Sequence, residues 1–419
     1  TDDAKWVYSR NPYDNNNYKF DEFSAPEKTV NYLYQDKTTT YPAPYILYGQ
    51  SDSTAKTGNS AYVSVPSGTA YVWEDENGTR YKPGVYRGAQ GDPVPASVKT
   101  LTMVSAADSL PVLTEDEARE EGLDPNKYAG YLAIRSVRDL LDLRDVMAIA
   151  YGTYDCKAVL LNDLDLSGSG FTTLGGSGTR FTGVFDGYGH KITGLGGEAL
   201  IGFSAGGADT DKTTDIHDLI VSGGALLGQV VGAKKTTTNL TMTNCARTDA
   251  GPLIDLVNGG TSSDSSSGNP VLTNCGSAGR LIGTLYLGSS SYYPKKLTGC
   301  YSGAEMFGSI ANNTSQNKRG TLTSSNCFEL SASPYASNIN KDDGYKGRPT
   351  LYTADKLATG ELAWLLNTVS GSAVNSGAWS QEDGVPVPAI GGRKPVYRLT
   401  FTDADSAGSA GYAYSVNNG

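Results

Sequence analysis

Residues 270 to 288, PVLTNCGSAGRLIGTLYLG, contain a phrase that recurs on both sides. NLTMTNCARTDAGPLIDLVNG begins at Asn239 and KKLTGCYSGAEMFGSIANN begins at Lys295. Three of the five cysteines in the chain occupy the same place in the phrase, so it is architectural before it is chemical. Aligning on a small or polar residue followed by two apolar ones extends the series to EALIGFSAGG, GALLGQVVGA, GPLIDLVNGG, GRLIGTLYLG and AEMFGSIANN. The first apolar residues are Leu200, Leu226, Leu253, Leu281 and Met306, at steps of 26, 27, 28 and 25. A weaker sixth copy is SASPYASNIN, from Ser331.

A unit of this length, with short strand-like runs, Gly-rich corners and no room for a ten-residue helix, excludes a helical solenoid. It fits one coil of a parallel β-helix, in which successive coils stack at the strand spacing and equivalent residues form ladders. The expected fold is therefore mainly β: a right-handed parallel β-helix over residues 153 to 340. Leu200, Leu226, Leu253, Leu281 and Met306 would form one interior ladder, with Ile201, Leu227, Ile254, Ile282 and Phe307 beside them. Ser-rich runs at 259 to 269 and 288 to 294 read as loops at a coil corner.

Cys245, Cys275, Cys300 and Cys327 recur once per coil, at steps of 30, 25 and 27, and join the interior ladder. A small, weakly polar side chain suits a tight inward position beside a corner. Stacked rungs lie within the Cα separation of a disulfide, but in-register side chains point in parallel and seldom meet its torsion requirement. With no CxxC pair and no His nearby, a metal role for these thiols is not expected.

Fifty-one Gly, twenty-seven Tyr and four Met describe a turn-rich β protein of 419 residues. A net charge of −10 argues against nucleic-acid or anionic-membrane partners, which need clustered Lys and Arg. No apolar run approaches the roughly 18 residues of a membrane span. The chain opens TDDAKWVYSR without a charged-then-apolar leader, as expected of a mature exported form.

The repeats are flanked by helical signals that would cap the solenoid and hide its open strand edges. In SVRDLLDLRDVMAIAYG, Ser136 is the N-cap and Asp139 stands at N3. Val137, Leu140, Leu141, Val146 and Met147 then share one apolar face. Downstream, TADKLATGELAWLLN offers Thr353 as a cap and Leu357, Leu362, Trp364, Leu365 and Leu366 as its apolar residues. Residues 1–112 read as a small Tyr-rich β-domain with a hairpin about Asn77-Gly78 in TAYVWEDENGTRYKPG. Residues 113–131, rich in Asp and Glu, read as a linker, 132–395 as the β-helix with its caps, and 396–419 as C-terminal strands.

The succession of a capping helix, LNDLDLSG, FTGVFDGYGHKITGL and then ALIG-type repeats resembles the bacterial cell-surface proteins that carry GLUG-type repeats. LATGELAWLLN followed by WSQEDGVPVPAI and PVYRLTF looks like the C-terminal closure of the same proteins. The resemblance covers about residues 132 to 401 and implies a parallel β-helix at the cell surface. The usual Gly-Leu opening of the repeat stands here as Ala-Leu, Pro-Leu, Arg-Leu or Glu-Met.

Enzymatic β-helices that cleave polysaccharides need carboxylates converging from neighbouring coils, or a Ca²⁺-binding acidic cluster with an Arg or Lys base. Asp163 and Asp165 share a strand face and Asp186 follows one coil later, but Asp-Gly and Asp-x-Ser corners ordinarily bond turn amides. Asp249 and Asp255 lack acidic counterparts in the next coil. His190 lies in a turn, and His217 has no Cys or Glu at ligand spacing. No catalytic, cofactor or metal residue is nominated, and no cofactor is expected. The reading is a non-enzymatic extracellular structural or adhesive protein, a secreted bacterial surface rod or fibre subunit. Its alternatives are a polysaccharide-cleaving β-helix enzyme and a glycan-binding module.

The tail suggests how such a rod would assemble. Tyr397, Leu399 and Phe401 alternate with polar residues, and after DADSAGSAG the alternation restarts at Tyr412, Tyr414 and Val416. A strand without its own sheet satisfies its backbone by adding to an edge of another copy. Expected partners are thus other copies of the chain, with surface glycans or host proteins as targets of the rod.

Overall fold

The computed structural model describes residues 110–150, 152–204, 213–230, 238–258, 268–286, 295–311, 322–333, 345–368 and 376–398, with Ala107, Asn77 and short backbone strands before it. The chain forms a parallel β-solenoid of about six turns. One sheet stacks Leu132–Ile134, Gly152–Leu160, Thr179–Asp186, Thr214–Val221, Leu240–Arg247, Pro270–Thr273, Lys295–Thr298, Leu322–Ser325 and Tyr345–Lys346. A second stacks Ile201–Phe203, Leu227–Val230, Ile254–Val257, Ile282–Tyr286 and Phe307–Ala311. A further row branching from the first continues through Gly276–Ser277, Tyr301–Glu305, Phe328–Ser331 and Thr350–Leu351.

The parallel register explains the repeat. Leu227 stands beside Ile254, Ile254 beside Ile282 and Ile282 beside Phe307. Leu200, Leu226, Leu253, Leu281 and Met306 are all fully buried in one core. Glycine follows the two apolar residues in four of the five copies because the coils approach closely there. A Cβ on Gly228 would lie 2.7 Å from the carbonyl oxygen of Gly202, and one on Gly283 2.6 Å from that of Asp255.

Cys245, Cys275, Cys300 and Cys327 are buried in the same core, and all five cysteines including Cys156 are free thiols. Each ladder thiol has a backbone carbonyl within hydrogen-bonding reach; Cys275 Sγ lies 3.3 Å from both Met242 O and Thr273 O and can donate its one hydrogen to either. The residue before each thiol turns the chain through left-handed backbone: Asn244 and Asn274 at φ 51°, Gly299 at 64° and Asn326 at 49°. Asn is the L-residue that takes this conformation most readily apart from Gly, which accounts for the recurring Asn-Cys.

Helix α1 spans Glu115–Glu120, α2 Pro125–Tyr128 and α3 Val137–Ile149. The Ser136–Asp139 capping box opens α3, with Asp139 N donating to Ser136 Oγ at 3.3 Å and Ser136 N to Asp139 Oδ2 at 2.9 Å. Leu140, Leu143, Val146 and Met147 are buried in the β-helix core together with Leu174 and Phe181, so α3 plugs its first coils.

Residues 113–131 differ from the expected linker. Leu113, Leu123, Tyr128 and Tyr131 pack with Ala133 and Val159, while the acidic residues of α1 stay at the surface. The apolar residues are spaced too irregularly to read as one face, because they belong to two short helices and the turns between them. The downstream helical segment is split by Gly360 at φ 82° into α4, Ala354–Ala358, and α5, Glu361–Asn367, and Thr353 makes no side-chain cap bond.

Helix α5 lies along the side of the later coils, and the hairpin Trp379–Glu382/Val385–Pro388 reaches from them to earlier ones. Leu362, Leu366 and Trp379 cluster with Tyr301 and Tyr352, and Val385 and Val387 cover Ile220 and Ala246.

Before Leu110 the described strands are antiparallel, and Tyr71–Asp75 pairs with Arg80–Tyr81 on either side of Asn77. The Ser-rich insertions, most of the sixth copy, and Leu399, Phe401, Tyr412, Tyr414 and Val416 lie outside the described residues. Tyr397 is 65% exposed.

Candidate functional site

The parallel pairing of Thr179–Asp186 with Thr214–Val221 sets Asp186 beside His217. Asp218 follows at φ 57°, where the chain turns out of the strand direction. His217 Nδ1 lies 3.1 Å from Asp218 Oδ2 and 3.4 Å from Asp186 Oδ1. One donor atom from each of the three side chains falls within 4.8 Å of the others.

Both carboxylates are also held from outside this trio. Asp186, whose side chain is fully buried, accepts from Tyr128 Oη at 2.7 Å and Lys127 Nζ at 3.3 Å on Oδ2, and from Tyr188 N at 2.8 Å on Oδ1. Asp218 Oδ1 accepts from Asn244 Nδ2 at 2.8 Å. Helix α2 is thereby tied to the second and third coils through a single carboxylate.

The cluster is rich in negative charge. Burial disfavours a charged imidazole, but the hydrogen bond to Asp218 and the charges of Asp186, Asp218 and Asp215 outweigh it and hold His217 above its ordinary 6.5. Burial, with Asp186 and Asp218 nearby, raises Asp215. Burial also opposes the charge of Asp218, yet hydrogen bonds from His217 and Asn244 keep its carboxyl below the usual range. Tyr128 is pushed up to about 12 by burial, which keeps its hydroxyl a donor to Asp186.

The aspartates singled out in the sequence take separate partners. Asp163 Oδ1 lies 3.0 Å from His190 Nδ1 and accepts from Lys191 N at 2.9 Å. Asp165 Oδ1 accepts from Ser167 N at 3.0 Å, the corner bond expected of Asp-x-Ser. Asp249 pairs with Arg247 at 2.7 Å and accepts from Gly223 N at 3.0 Å. Asp163 and Asp186 each meet a histidine of the next coil, but only beside Asp186 does a further carboxylate, Asp218, join the pair.

The link between Asp186 and His217 is hidden in the sequence, because no Cys or Glu stands at ligand spacing from His217 and the ladder that marks the coils begins only at Leu200. Aligning FDGYGH on IHDLIV, one coil apart, would have revealed it.

No protein-family model matches the chain and no curated protein matches it in sequence. Among solved structures it is similar to a Bacteroides ovatus protein provisionally named an immunoglobulin A1 protease, at 13% identity and a TM-score of 0.33. That match covers 62% of this chain and 92% of the other. The stacked parallel coils define a parallel β-helix protein. No helix among the described residues is long and apolar enough to cross a membrane.

Proposed function

We propose that the protein is a non-enzymatic extracellular rod of the bacterial cell surface, structural or adhesive, related to the proteins with GLUG-type repeats and assembled from copies of itself by terminal strand addition. The observation that carries this reading is the employment of its aspartates. Asp163, Asp165 and Asp249, carboxylates of the kind a carbohydrate-cleaving β-helix would gather in a groove, are spent separately on holding turns and neighbouring coils. Surface glycans or host proteins are the targets such a rod suits.

Two measurements test the reading. Deleting residues 403–419 should abolish polymers seen by light scattering and electron microscopy. Unchanged polymerisation, or a full-length chain that never leaves the monomer, defeats strand addition. Release of unsaturated or reducing sugar ends from acidic polysaccharides by the purified chain would replace the structural reading with the enzymatic one.

A further inference from the structure

We propose that Asp186, His217 and Asp218 form a three-ligand site for one divalent transition-metal ion of the Zn²⁺ class, which joins two neighbouring coils beside the α2 segment. Carboxylates alone would make a solvated acidic patch; an imidazole nitrogen placed between two of them is a mixed N/O donor set. Zn²⁺ binds such donors at about 2.0–2.2 Å, and tetrahedral geometry then sets donor atoms roughly 3.3 Å apart. The two separations from His217 Nδ1 are 3.1 and 3.4 Å. Ca²⁺ fits poorly, since it takes about 6–8 oxygen ligands.

The outer contacts have the pattern of a metal site, where ligands are oriented by hydrogen bonds from a surrounding shell. Asn244 holds Asp218 by Oδ1 and leaves Oδ2 toward the imidazole. Tyr128 and Lys127 hold Asp186 by Oδ2, and Oδ1, which accepts from Tyr188 N at 2.8 Å, faces the imidazole with its other lone pair. The groups facing His217 are Asp186, Asp218 and Asp215, with Lys127 on the far side of Asp186. Three carboxylates against one ammonium leave two negative charges for a dication.

His217 and Asp218 keep 16% and 31% of their side-chain surface exposed, which gives the ion an approach and leaves a fourth position for water. Binding uses Nδ1 as a neutral donor. A neutral imidazole keeps its proton on Nε2, and a protonated one releases its Nδ1 proton to solvent. The rival arrangement is a proton on Nδ1 shared between the carboxylates, with no metal.

The test uses the full chain without a polyhistidine tag, stripped with a chelator and titrated with Zn²⁺ against a chromophoric competitor at neutral pH. One Zn²⁺ per chain should bind in the micromolar range or tighter, and Ca²⁺ should not compete. His217→Ala and Asp218→Asn should weaken binding by roughly 100-fold, the upper end of what outer-shell changes alone cost. His190→Ala, which removes the other histidine, should bind as the unaltered chain does. Should either site variant fail to fold, Co²⁺ on the unaltered chain serves in its place, with visible bands of a four-coordinate N/O site expected. Absence of saturable binding, equal affinity in a folded His217→Ala, or a Co²⁺ spectrum of the free aqua ion overturns the proposal in favour of the proton.

Discussion

Asn274 donates its side-chain Nδ2 to Oδ1 of Asn244, 3.2 Å away on the preceding coil, and both residues hold left-handed backbone at φ 51°. The stack begins at Asp218, which accepts from Asn244, and in a later coil Asn326 donates to Leu366 O of α5 at 3.0 Å. One polar column therefore runs beside the thiol ladder, from the charged cluster to the C-terminal clasp. Gly299 interrupts it and keeps the same turn without a side chain.

Asn274→Ala should cost more than Asn274→Gly. Both lose the bond to Asn244, worth about 0.5–1.5 kcal/mol. Ala must in addition enter left-handed backbone, at about 1–2 kcal/mol. Urea unfolding of the two variants gives the order, and equal midpoints would mean that the turn itself carries no strain.

Leu253→Ala should destabilise by about 2–5 kcal/mol, the range for emptying a closed apolar interior. Leu253 is fully buried, so Leu253→Asp would place an unpaired carboxylate there and should prevent cooperative folding. Circular dichroism melts report both outcomes.

Gly283→Ala should cost roughly 1–3 kcal/mol, because the new methyl would press on the carbonyl of Asp255 and the coils would have to part. Gly176→Ala makes the contrast: a Cβ there meets nothing within 4 Å. That substitution should be neutral or stabilise by up to about 1 kcal/mol in the same melts.

The C-terminal hairpin should loosen in acid. Glu382 joins Lys191 and lies 3.0 Å from Arg393, whose guanidinium also donates to Gly189 O at 2.8 Å. Burial works against the charge of Glu382, but the hydrogen bonds from Lys191 and Arg393 outweigh it and hold the carboxyl below 4.5. A depressed folded value means that the contribution is complete above pH 4.5 and is lost as the pH falls through the lower folded value. Partly exposed pairs are worth only about 0–1 kcal/mol each, so the loosening should stay local. Hydrogen-exchange protection factors across residues 379–388, taken relative to the intrinsic rate at each pH, should fall below pH 4.5 in the unaltered chain, and Glu382→Gln should flatten that dependence.

The thiols should react slowly. Burial pushes Cys156, Cys275 and Cys300 up, whereas the hydrogen bond from Cys300 lowers Cys327 at the end of the stack. An aromatic disulfide reagent should label Cys327 first in the native chain and all five cysteines in denaturant. Prompt labelling of all five under native conditions would contradict the buried ladder.

The coil length, the inward residues and the cap of α3 were legible in the sequence. Each is the imprint of one environment repeated along the chain: Leu226, Leu253 and Leu281 are apolar because each meets the same interior, and Ser136 with Asp139 satisfies backbone groups within one turn. The three-way meeting of Asp186, His217 and Asp218, the docking of Tyr128 on Asp186 from 58 residues away, and the contact of Lys191 with Glu382 across 191 residues belong to the tertiary structure alone. These contacts do not repeat, so no period announces them. They depend on which coil a strand stacks upon and where the ends of the chain return to the rod. Stacking places side chains from distant stretches within about 5 Å of one another, the strand spacing, and only there do isolated aspartates and a lone histidine become a cluster.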